Sequence, residues 1–76
     1  MTLDYYLETL AEQECERIHS ATGDYPIDWM TEVAQTAQAD WTEDGVLDYD
    51  AAEDEIIAHA DHYIHFVLEQ EKGVQK

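Results

Sequence analysis

The chain has one cysteine, Cys15, so it cannot close an intramolecular disulfide. It also lacks the paired Cys and His ligands of a zinc finger. A reducing, cytoplasmic setting is the simplest expectation. No apolar run is long enough to span a membrane. No basic segment followed by an apolar stretch marks a signal peptide. Positive charge is the scarcest commodity: Lys and Arg number 3 against 19 Asp and Glu. Arg17 is followed by no Lys or Arg until Lys72, and fourteen carboxylates lie between them. Such a chain repels phosphate, which excludes ordinary binding to DNA or RNA.

What remains is a formal net charge of -16 on 76 residues. Charge this far from zero strains any compact state by self-repulsion. High charge with few hydrophobics would mean disorder. Here hydrophobics reach 45% and aromatics 11%, and the apolar residues are periodic, so the chain is expected to fold. The expected organisation is one domain over residues 1–76. A chain this short buries only roughly 60% of its unfolded surface, so the core must be modest.

Helical spacing is the dominant pattern. From about Thr2 to Ser20, the residues Leu3, Leu7, Leu10, Ala11 and Ile18 make one apolar face. Glu14 interrupts it and can pair with Arg17 three residues on. Ala21-Thr22-Gly23-Asp24 reads as a helix stop, with Gly23 suited to a left-handed terminal position. A second helix starts near Pro26, with Trp29, Met30, Val33, Ala37 and Trp41 as its expected inner face. Thr42-Glu43-Asp44-Gly45 breaks the pattern, and Val46-Leu47 is a short apolar patch in a loop. A third helix is expected to start with Asp50 as cap and Glu53 completing a capping box. Its stripe is Ile56, Ile57, Ala60, Tyr63, Ile64, Val67 and Leu68, with Lys72 and Gly73 suited to its end. The expected fold is all-α: a compact three-helix bundle with an acidic loop between helices 2 and 3.

Two concentrations of carboxylates stand out. Asp4, Glu8, Glu12 and Glu16 are spaced four apart, which on a helix sets a charge about every 6 Å along one drifting stripe. Like charges at this spacing each cost a helix roughly 0.2–0.5 kcal/mol, and no lysine is interleaved to relieve them. The second concentration is Asp40, Glu43, Asp44, Asp48, Asp50, Glu53, Asp54 and Glu55. Tyr5 lies near the first stripe and Tyr49 within the second, and exposed aromatics among charges are typical interface anchors. If the two regions lie side by side, they form an extended anionic face. In size, charge and helical character the chain resembles the small DNA-mimic inhibitors of mobile elements, of anti-restriction and anti-CRISPR type. The likeness belongs to the whole chain, with no motif that assigns individual residues. It implies a non-enzymatic, phage-type inhibitor acting in the host cytoplasm. Such a protein occupies the basic surface of a DNA- or RNA-handling complex.

Other readings compete. A lysine-poor surface also suits solubility at high salt. A generic acidic adaptor or antitoxin would need no mimicry. The segment 40–51 is similar to an EF-hand calcium loop. Asp40, Thr42 and Asp44 stand at its first, third and fifth positions, Gly45 at the sixth, Leu47 at the eighth and Asp48 at the ninth. The twelfth position, normally a bidentate Glu, is Ala51, so an ordinary acidic connection is the preferred reading. Glu55, His59 and His62 share one side of the third helix and form a second candidate metal set. With Phe66 they also mark a surface that could seam a homodimer. Cys15 sits between Glu14 and Glu16, which argues against a reactive thiolate. No phosphate loop or nucleophile elbow is present, and no cofactor or catalytic residue is expected.

Overall fold

The computed structural model describes residues 2–74, with side chains described through Gln70. Its elements are α1 (Tyr5–Thr22), α2 (Ile27–Asp40), the strands β1 (Thr42–Glu43) and β2 (Val46–Leu47), and α3 (Tyr49–Val74). The fold is an all-α three-helix bundle in which each helix packs on the other two.

Local chemistry sets the ends of α1. Asp4 caps its start, accepting from the Tyr6 backbone N–H at 2.9 Å. Gly23 closes it at φ 86°, a left-handed conformation that glycine adopts without steric cost, and its N–H donates to the His19 carbonyl. Side-chain contacts then give the directions. Tyr6 meets Glu53 near the starts of α1 and α3, and Arg17 meets Asp61 farther along both, so these helices run parallel. Gln38, late in α2, meets Asp4, while Trp29, early in α2, stacks against Tyr63, so α2 runs opposite to both. Leu7, Cys15, Ile18, Met30 and Ile56 are the largest fully buried side chains. Ala11, Ala34, Ala37, Ala52 and Ala60 are buried between them and let the helices approach closely. Leu3, Ile27, Leu47, Tyr63 and Ile64 pack around this core.

Four details depart from the sequence reading. Trp29 and Trp41, expected on the inner face of α2, are 36% and 43% exposed. An alanine-lined core this narrow seats an indole only at its rim. The expected loop at Val46-Leu47 is half of a β-hairpin, pairing Thr42 with Leu47 and Glu43 with Val46. Asp44 and Gly45 form its turn at φ 54° and 79°, the double left-handed geometry of a type I′ turn. The cap of α3 is Asp48, which accepts from the Ala51 N–H at 3.1 Å, and not Asp50. Glu53 therefore completes no capping box. Finally, α3 continues through Gly73 to Val74, so the expected stop there falls inside the helix, and the Lys72 side chain lies outside those described.

The cap assignment is testable. Asp48→Ala should destabilise the protein by about 1 kcal/mol, and Asp50→Ala by about half that or less. Urea unfolding of both variants measures this. A larger loss for Asp50→Ala would move the cap back to the position that the sequence alone favours.

Candidate functional site

The two acidic regions meet at one end of the bundle. Asp4, the first member of the α1 stripe, accepts a hydrogen bond from the Tyr49 hydroxyl at 2.8 Å. Tyr6 on α1 donates in return to Glu53 on α3 at 2.7 Å. The Asp4 N–H donates to the buried Gln38 side chain at 2.7 Å, and the Gln38 amide donates to the Thr2 carbonyl at 3.1 Å. These bonds join segments 34 to 47 positions apart in the chain. Asp40, Glu43, Asp44, Asp48, Asp50 and Asp54 are exposed around this end, and Glu53 and Glu55 are half-buried. Glu8, Glu12 and Glu16 are exposed and continue from Asp4 along α1. Tyr5 is 82% exposed beside them.

The hairpin shapes the second region. Asp40, Trp41, Glu43, Asp44, Val46 and Asp48 line an open depression of about 670 Å³. Trp41 is fixed there by donating from Nε1 to Glu55 at 3.0 Å, and Val46 is 70% exposed on the outer strand. The depression thus combines an indole and a branched aliphatic with four carboxylates. Trp41, Val46 and Tyr6 were not among the site residues expected from sequence. The Asp44-Gly45 turn was the available signal, because a hairpin there pulls Trp41 off the helix face and exposes Val46.

Tyr6 and Tyr49 titrate above the ordinary tyrosine value. For Tyr6 the hydrogen bond to Glu53 is the main cause, followed by burial and the charges of Glu53 and Asp50. For Tyr49 it is the hydrogen bond to Asp4, followed by burial and the Asp4 charge. Ionising either phenol would set a second anion against a carboxylate. Because the folded-state values lie above the unfolded value, their stabilisation is fully present below about pH 10 and is lost as pH rises through the folded-state values. Phenolate absorbance should therefore show late-titrating tyrosines, and Tyr6→Phe and Tyr49→Phe should each remove one. Loss of a tyrosine that titrates at the ordinary value in both variants would show that these bonds do not persist in solution.

Four members of the candidate metal sets, Thr42, Asp48, Glu55 and His59, have partners within the fold. Thr42 donates its hydroxyl to the Gln38 carbonyl, and Asp48 caps α3. The hairpin occupies residues where a calcium loop would coil around its ion. Glu55 accepts from Trp41, His59 Nδ1 lies 2.8 Å from the Glu55 carbonyl, its ring faces Trp29, and His62 is exposed. Among the described residues, no three His, Cys, Asp or Glu side chains converge to hold a metal ion. Millimolar calcium should accordingly raise the melting temperature no more than the same magnesium does. A saturable, calcium-selective rise that Asp44→Ala abolishes would overturn this. Cys15 is fully buried, and burial, then Glu16, Glu12 and Glu14, push its thiol up, away from thiolate chemistry.

No family model, curated protein or solved structure matches the chain. Among the described residues no helix is long and apolar enough to cross a membrane. Arg17 is committed within the fold, bridging Glu14 and, at 2.7 Å, Asp61. It does nothing to neutralise the acidic end.

Proposed function

We propose that the protein binds a basic, nucleic-acid-binding surface of a DNA- or RNA-handling partner and blocks it by offering carboxylates in place of phosphates. The partner class is the one that anti-restriction and anti-CRISPR inhibitors act on. The observation that carries this reading is the pair of tyrosine bonds, Tyr49 to Asp4 and Tyr6 to Glu53, which hold two separate acidic segments together as one surface.

Solubility alone gives no reason for that arrangement. A chain selected to remain dispersed gains by spreading like charges apart or mixing signs. This one concentrates them at one end and extends them along α1. Exposed aromatics stand among them, which suits a surface desolvated by a partner. Charge of this density also speeds encounter with a basic surface and makes binding depend steeply on salt.

The protein, immobilised, should capture from a bacterial lysate a protein that duplex DNA or RNA then releases. A neutral polymer at the same ionic strength should not release it. Capture of a protein that stays bound when nucleic acid is added would refute mimicry and leave an acidic adaptor.

A further inference from the structure

Two aromatic walls stand at right angles at the acidic end. Tyr6 in the first turn of α1 and Tyr49 at the start of α3 have ring centroids 5.6 Å apart and planes at 83°. Both rings are nearly half exposed, at 48% and 45%. Among the described residues, these two line an open corner of about 330 Å³.

The electrostatics of this corner select its occupant. The face of an aromatic ring is the negative part of its quadrupole. Each hydroxyl here donates to a carboxylate, Tyr6 to Glu53 and Tyr49 to Asp4, which anchors both rings and sets two anions at the rim. Asp50 adds a third anion in the first turn of α3. The starts of α1 and α3 would by themselves oppose a cation. One amide of each start is capped by a carboxylate, Tyr6 N–H by Asp4 and Ala51 N–H by Asp48, and these two side chains carry compensating charge. A neutral apolar side chain would gain the ring contact and nothing from the rim. A cation gains both.

We propose that this corner is the socket for one arginine side chain of the partner's basic surface. The guanidinium lies flat on one ring and directs its N–H groups toward Asp4 and Glu53. Arginine fits better than lysine because its planar fork stacks on a ring and serves a carboxylate at once, and because it is less strongly hydrated. The identity of the partner rests on the proposed function. The socket adds the contact that anchors it.

The probes are N-acetylarginine amide, N-acetyllysine amide and tetramethylammonium, titrated into the full chain and followed by NMR of the tyrosine rings. Saturable shifts of Tyr6 and Tyr49, and upfield movement of the arginine methylene signals by the ring currents, are expected. Arginine should bind more tightly than either other cation. Tyr6→Leu and Tyr49→Leu should each weaken it about fivefold, the size of one exposed cation–π contact. Tyr6→Phe and Tyr49→Phe, which keep the rings but release their bonds to Glu53 and Asp4, should weaken it less than the leucine variants do, and Tyr25→Leu, exposed beside His19 at the far end of α1, should bind as the wild type does. Equal affinity in the leucine variants would overturn the socket in favour of diffuse charge attraction. Tighter binding of lysine or tetramethylammonium would overturn the assignment to arginine. If a leucine variant does not fold, the ring-current shifts and the phenylalanine variants decide. No partner takes part, so a failure here leaves competition with nucleic acid as a separate question.

Discussion

Reversing Asp40 and Glu43 together to lysine is expected to weaken partner binding by about 2 kcal/mol or more, about thirtyfold. Two other pairs calibrate it. Glu8→Lys with Glu12→Lys changes the α1 stripe. Asp28→Lys with Glu32→Lys changes exposed carboxylates on α2, beginning in its first turn, away from the acidic end. All three doubles change net charge by the same amount, so steering and solubility alone predict equal losses. A surface desolvated in the complex predicts unequal ones, because reversing a buried contact costs more than altering a rim charge. The expected order is the hairpin pair first, the α1 pair second and the α2 pair last. Asp44 is left intact because its φ of 54° suits aspartate better than lysine, and a turn defect would imitate a binding defect. Equal losses for the three pairs, measured on folded variants, would leave only a generic acidic protein.

The largest effect on stability is expected at the core. Leu7 is fully buried in the core, and Leu7→Ala should cost about 2–5 kcal/mol. A chain of 76 residues has roughly 4–11 kcal/mol in total, so this removes a large share. Self-repulsion from a net charge of -16 works in the same direction, and salt screens it over a Debye length of about 8 Å at physiological strength. The melting temperature of the wild type should therefore rise from low to moderate sodium chloride. Leu7→Ala should be largely unfolded at low salt and recover helicity as salt is added. Val46→Ala, at an exposed position, should stay within about 0.5 kcal/mol of the wild type. A wild-type melting temperature that is flat or falling with salt would mean that the carboxylates are too dispersed to repel one another.

The helices were legible in the sequence because their apolar residues recur at 3.6-residue spacing, and Leu7, Ile18, Met30 and Ile56 all lie in the core. Gly23 was legible as a stop because few other residues accept a positive φ. The tryptophans were misjudged because periodicity reports a direction and not the room available there. Trp29 points inward by register but is kept at the rim, over Tyr63 and His59. The hairpin was missed because two-residue strands carry no periodic signal. Only the Asp44-Gly45 pair announced it. The acidic stretches were plain in the sequence, whereas their junction through Asp4, Tyr6, Tyr49 and Glu53 was not. Hydrogen bonds across 45 and 47 positions depend on the parallel register of α1 and α3, which no local pattern encodes.

The most direct test of the account is competition on the purified partner. A labelled duplex bound to that partner is titrated with this protein at several duplex concentrations. Mimicry predicts full displacement, with an apparent affinity that weakens in proportion to the duplex present and falls steeply with salt. A ternary complex, with the duplex still bound when the protein is saturating, would contradict it.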